Sequence, residues 1–218
     1  GYRLFDLREQ LRTFRPAMAD TLDEALADAA RPQILLDVDD NPGGGAGGDN
    51  TEVLRLLLDR GVREVCAGPL WDPLAVRFCF DAGVGARLRL RIGGKVGLDS
   101  GAPLDVHAEV LALQRNHHQR VGSLDAPLGD AAAVCFEGIE VVLTSVRDQA
   151  YDPSLFGGLG IESAARRFIV LKSAQQFHLG FDSVTTQARA LRRPTRGPDA
   201  FQRVRRPLWP LDEDFRLP

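Results

Sequence analysis

The sequence predicts an α/β fold: a mostly parallel sheet flanked by helices in the first half, with an antiparallel β extension in the second half. Three observations carry this expectation. Up to residue 82, short apolar runs alternate with amphipathic stretches, the pattern of repeated strand–helix units. Residues 86–92 (ARLRLRI) then alternate strictly, with arginines on one face and aliphatics on the other, as an antiparallel strand open to water does. Strand patterns predominate thereafter.

In chain order, residues 1–15 place Leu4, Leu7 and Leu11 at helical spacing with no start signal in front. They read as the end of a linker or helix from a preceding domain, which leaves 16–218 as one α/β domain. Thr21 and Glu24 fit a capping box, followed by the apolar stripe Leu22, Ala25, Leu26 and Ala29, and Pro32 stops that helix. Residues 33–38 (QILLDV) suit a strand buried on both faces. After a glycine-rich loop, Thr51 is the expected N-cap of a helix carrying Val53, Leu54, Leu56, Leu57 and Leu58, with Gly61 at its end. Residues 62–67 read as the next strand, and Asp72-Pro73 opens a helix to Ala82.

Further strands are expected at 86–92, 106–113 and 132–145, the last a hairpin turning at Glu137-Gly138. Residues 153–160 read as a short helix and 168–171 (FIVL) as a buried strand. From Thr195 onward proline and arginine dominate, and an irregular segment tied down by Leu208, Trp209 and Phe215 is expected.

With 218 residues the chain can bury a sizeable core, and 44% apolar and 26% charged residues are those of an ordinary globular protein. A net charge of −3 gives no electrostatic reason to expect nucleic acid or an anionic membrane as partner. No apolar run is long enough to span a bilayer and no secretory pattern opens the chain. Cys66, Cys79 and Cys135 are odd in number, far apart and set among apolar residues, so buried free thiols in a reducing cytoplasm are expected.

The most informative segment is Asp40-Asn41-Pro42-Gly43-Gly44-Gly45-Ala46-Gly47-Gly48-Asp49, between a buried strand and a helix N-terminus. Open α/β sheets bind ligands at that place, and glycines admit close backbone approach. Free amides there, backed by the helix dipole, suit a substrate carboxylate or phosphate. The loop is neither a Walker motif nor a dinucleotide fingerprint, and it serves equally well as a tight connection. Asp37, Asp39, Asp40 and Asp49 match no calcium-loop spacing and read as turn and helix caps. His107, His117, His118 and His178 form no metal-binding pair, and no serine occupies a nucleophile elbow. No catalytic residue and no metal ligand is therefore assigned. Lys95, after Gly93-Gly94, and Lys172, before Ser173, place ammonium groups at strand ends, where each either meets an anion or is solvated. Arg203, Arg205 and Arg206 lack the aromatic interleaving of a single-strand binder.

Taken together, these segments resemble the C-terminal domain of the microcystinase C-like (MlrC-type) metallopeptidase family. The resemblance lies in the DNPGGG-A-x-GD-x-T pattern from Asp40 to Thr51, the preceding LLDV, and Trp71-Asp72-Pro73. Gly93-Gly94-Lys95, Val170-Leu171-Lys172-Ser173 and the closing Arg206-Pro207-Leu208-Trp209 extend it over nearly the whole chain. Against the family pattern, Gly47 stands in place of proline, Asn50 of serine and Gln176 of histidine, and residues 116–130 are less typical.

The resemblance implies a hydrolase whose zinc is held by a preceding N-terminal domain, with water attacking a small peptide or amide-like substrate. It implies no metal ligand in this chain, and no peptidase activity for the chain alone. Asp40, Asn41, Pro42, Gly43 to Gly45, Asp49 and Thr51 would shape a cleft or hold a substrate carboxylate, with Lys95 and Lys172 as charge partners. The alternative is a non-catalytic α/β module that captures a small anion, and a third reading makes the loop purely structural. The residues leave the oligomeric state open, a homo-oligomer included.

Overall fold

The computed structural model describes residues 16–185 and 187–192. Expectations for residues 1–15 and from Thr195 onward lie outside them. Pro16–Arg192 form one compact unit. Its centre is an eight-stranded sheet in the order β3-β4-β5-β6-β2-β7-β1-β8. The strands are β1 Gln33–Asp37, β2 Val65–Trp71, β3 Arg87–Ile92, β4 Leu104–Val121, β5 Leu124–Phe136, β6 Ile139–Thr144, β7 Phe168–Leu171 and β8 Ala188–Leu191. Parallel pairing joins β6, β2, β7, β1 and β8 in that order, whereas β3, β4, β5 and β6 are joined antiparallel. The mixed sheet is the one the sequence predicts.

Alternate residues of each central strand serve opposite cores. Leu35, Val65, Ala67, Phe168 and Val170 face α1 (Met18–Ala27), α2 (Glu52–Asp59) and α3 (Pro73–Ala82). Ile34, Leu36, Cys66, Ile169 and Leu171 face α4 (Ser154–Gly157) and the turns that carry Phe177 and Phe181. Burial on both sides explains why these strands read as continuous apolar runs. On β3 the arginines are exposed while Leu90 and Ile92 are buried, as the alternation predicts.

Local signals explain most element ends. Asp72 Oδ1 accepts from the Ala75 amide at 3.0 Å and Pro73 follows it, which opens α3. Gly61, at φ 62°, closes α2. Glu137 and Gly138, at φ 47° and 80°, make the tight β5–β6 turn.

Three expectations are corrected. α1 begins at Met18, and Thr21 bonds back to the Ala17 carbonyl instead of capping it. The strand expected at 62–67 occupies Val65–Trp71. The strand expected to end at 113 continues to Val121 and turns at Gly122 into β5, forming a long hairpin with register shifts between Gln114 and His118. No helix among the described residues is long and apolar enough to cross a membrane.

Candidate functional site

The parallel strands all end at one rim of the sheet. Asp37 ends β1, Trp71 ends β2, Thr144 ends β6, and Lys172 with Ser173 follows β7. Parallel α/β sheets present their ligand sites at this side because the connecting loops gather there.

Lys172 organises the rim. Its ammonium donates to Asp37 Oδ2 at 2.9 Å, Asp40 Oδ2 at 2.7 Å and the Asn50 carbonyl at 2.9 Å, which uses all three N–H donors. The lysine and both aspartates are buried. Burial alone would lower the ammonium pKa, but the charges of Asp37 and Asp40 and their hydrogen bonds outweigh it, so the group is held above its ordinary value and stays charged. One side chain thus ties β7 to the end of β1, to the glycine loop and to the approach of α2.

The loop itself is bonded inward. Asn41 takes the Gly43 amide on its side chain and the Gly44 and Ala46 amides on its carbonyl, and the Gly45 amide donates to the Pro42 carbonyl. Asp40 accepts from the Gly48 amide at 2.8 Å and the Asn50 amide at 2.7 Å. The expectation of a row of free amides is therefore corrected for Gly43 to Ala46, Gly48 and Asn50, whose amides are taken within the loop by Asp40, Asn41 and Pro42. Asp40, Asn41, Asp49 and Thr51 are buried in the base, Pro42 is half-buried, and Gly43, Gly44 and Gly45 form the exposed tip.

The remaining expected residues also find partners within the chain. Asp49 Oδ2 accepts from the amides of Lys95 and Val96 at 2.6 and 2.9 Å, and its carbonyl takes the Gly94 amide. The Lys95 ammonium lies 2.6 Å from Asp72 Oδ2. Both lysines expected to meet a ligand or water are thus paired with carboxylates. Thr51 does not cap α2: its hydroxyl donates to the Ala102 carbonyl at 2.6 Å, and Asn50 Oδ1 accepts from the Glu52 amide at 2.8 Å instead. Gly93, at φ 56°, is required by the close approach, since a Cβ there would lie 2.4 Å from the Asp49 carbonyl oxygen.

Three residues that the sequence reading left unassigned surround the tip. Trp71 is half-buried and its indole N–H donates to the Ser145 carbonyl at 3.1 Å. The exposed Arg147 donates to the Ala46 carbonyl at 3.0 Å, with its guanidinium carbon 5.9 Å from the centre of the Trp71 ring. The buried Gln149 amide packs beneath Gly43, where an added Cβ would come within 2.4 Å of Oε1. Residues 145–151 form a periodicity-free loop, and the only advance signal was a tryptophan at a strand end.

Among the described residues, the buried side-chain atoms without a hydrogen-bond partner are Asp37 Oδ1, Asp49 Oδ1, Thr144 Oγ1, Gln149 Oε1 and Ser173 Oγ. All of them belong to this rim. Folded proteins leave few such atoms, so their gathering at one edge marks the part of the molecule where bonding is incomplete.

The rim does not fit a metal centre. Among the described residues no group of three or more His, Cys, Asp or Glu side chains could hold an ion. The carboxylates of Asp37 and Asp40 are taken by Lys172, and that of Asp49 by backbone amides. The histidines have other partners: buried His117 contacts the Leu155 carbonyl at 2.9 Å, the exposed His118, its ring centre 6.4 Å from that of His117, lies 4.0 Å from Asp125, and His178 pairs with Asp182. Cys66, Cys79 and Cys135 are free thiols; burial pushes Cys79 up to about 11, and Cys66 higher still.

Comparison with known proteins places this architecture. The family model described as MlrC C-terminus matches residues 35–204. Microcystinase C from Sphingomonas sp. is 40% identical over 204 residues, covering 90% of this chain and 39% of that protein. A crystal structure from Mesorhizobium sp. BNC1, of a candidate metallopeptidase, aligns with a TM-score of 0.76 and 26% identity over 88% of this chain and 39% of its own. The chain therefore spans about 39% of the length of the relatives it matches.

Proposed function

The chain belongs to the MlrC C-terminus family, and from that premise we propose that it is the accessory, cleft-forming domain of a metal-dependent peptidase or amide hydrolase. The substrates in this reading are small linear peptides or amide-like compounds, and the compartment is the cytoplasm. The catalytic zinc belongs to a preceding N-terminal domain, the partner that this rim faces across the cleft. The observation that carries the reading is the concentration of unsatisfied buried polar atoms on the rim, at the side where parallel sheets meet ligands.

Within the cleft, this chain's residues shape and hold; none is assigned a proton transfer. Lys172, Asp37 and Asp40 fix the base of the glycine loop, and Asp49, Lys95 and Thr51 brace it from the side. The glycine tip offers a wall without side chains, against which a substrate backbone can lie. The rival reading, a free-standing anion-binding module, rests on a row of free loop amides, and those of Gly43 to Ala46, Gly48 and Asn50 are engaged internally.

Elemental analysis and peptide hydrolysis, run on the 218-residue chain and on the full-length protein, test the proposal. Stoichiometric zinc and hydrolysis in the full-length protein, with neither in the chain alone, is the expected outcome. Zinc retained by the chain, or hydrolysis by it, would sink the division of labour.

A further inference from the structure

We propose that Arg147, held between the glycine tip and Trp71, is the carboxylate-binding residue of the rim and selects substrates that carry a free carboxylate; the inference rests on the cleft reading above. Its guanidinium is positioned in advance by two contacts, the hydrogen bond to the Ala46 carbonyl and the face of the Trp71 indole. The Ala46 bond is its one hydrogen bond among the described residues and uses one of five N–H donors, and no carboxylate of those residues pairs with it. Three exposed arginines of the antiparallel extension are by contrast neutralised, Arg87 by Glu109, Arg91 by Asp105 and Arg115 by Asp130. The cations nearer the base of the loop are unavailable as well, since Lys172 and Lys95 are committed to Asp37, Asp40 and Asp72.

The setting matches a planar ligand group. A guanidinium fork binds a carboxylate through two parallel N–H···O bonds, and a ring face beneath it limits its rotation. Beside it lies the side-chain-free tip from Gly43 to Gly45, which runs directly into Ala46, to whose carbonyl Arg147 donates. A short peptide whose carboxylate meets Arg147 therefore runs its backbone along glycine.

The test uses the whole 218-residue chain with glycyl-leucine, glycyl-leucinamide and inorganic phosphate as probes, followed by nitrogen-15 NMR. Glycyl-leucine is expected to shift the Arg147 Nε–H and the Gly44 and Gly45 amides, and to bind at least about tenfold more tightly than its amide. Arg147→Lys should lose most of that preference and Arg147→Ala all of it, with the remaining spectrum unchanged. Equal binding of acid and amide, an unchanged preference in Arg147→Ala, or tighter binding of phosphate would overturn the proposal. In the full-length protein, Arg147→Ala should raise KM for peptides with a free carboxylate and leave kcat nearly unaltered. Hydrolysis with an unmoved KM would refute the subsite while the cleft reading stands. Carboxylate binding at Arg147 without any hydrolysis would do the reverse.

Discussion

The two halves of the sheet use pairs of opposite charge in opposite ways. At the parallel rim, Lys172 reaches across 135 and 132 positions of sequence to buried Asp37 and Asp40. On the antiparallel extension, Arg91 meets Asp105 and Arg87 meets Glu109 directly across β3 and β4, 14 and 22 positions apart, in water. A cross-strand pair in solvent is readily replaced by hydration and is screened by salt. A buried ammonium between two carboxylates has no such substitute, and removing one partner strands the others. The rim is thus a place where charge fixes geometry, and the extension one where charge keeps a strand face soluble.

The largest effect should separate the two. Lys172→Met leaves two aspartates buried without a cation and is expected to destabilise the chain by about 3–5 kcal/mol in urea unfolding. Arg91→Ala, the matching change on the extension, should give an unfolding midpoint indistinguishable from the parent's at high salt. Similar losses from both would dissolve the contrast. The triple variant Lys172→Met, Asp37→Asn, Asp40→Asn sharpens it, because recovery of part of the loss would assign the penalty to stranded charge and not to lost packing.

A smaller but still large effect is expected at the seam between the halves. Gly93→Ala forces a side chain onto the Asp49 carbonyl from a backbone with φ 56°, and should lower stability by roughly 1–3 kcal/mol. Urea unfolding measures it, and a neutral result would mean that the glycine loop and the β3–β4 connection move independently.

The smallest effect concerns the hairpin arm. His117 is buried against the Leu155 carbonyl, and burial holds its imidazole pKa below the usual value near 6.5. Protons therefore bind the unfolded chain more readily, so this contribution to stability is intact above that pH and declines as pH falls through it toward the folded pKa. His117→Gln keeps an N–H donor without the titration, and its melting temperature should fall less between pH 7 and pH 5. A parallel fall in both proteins would remove His117 as the cause.

The contrast also explains what the sequence could disclose. Element types were legible because apolar period follows burial: continuous in QILLDV, which is covered on both faces, and alternating in ARLRLRI, which is covered on one. The hairpin's length was missed although Gly122-Ser123 between two polar-rich stretches is a turn signal; charge had masked the strands. At the rim, the glycine loop announced itself by composition, but its bonding did not. Asn41 before Pro42-Gly43 could have warned that the amides would be taken locally, whereas nothing in the chain around Lys172 points to Asp37. Arg147 and Gln149 acquire meaning only through the tip they adjoin.

Strand order bears on how the molecule is made. β1 sits between β7 and β8, so residues 33–37 must wait for 168–171 and 188–191 before either of their edges is paired. During synthesis, the glycine loop leaves the ribosome more than a hundred residues before the lysine that locks it. Contacts of such sequence separation make folding slow, because long loops must close before any bond rewards them. The rim is consequently among the last parts of the domain to mature, and a nascent chain holds the glycine loop long before it holds its shape.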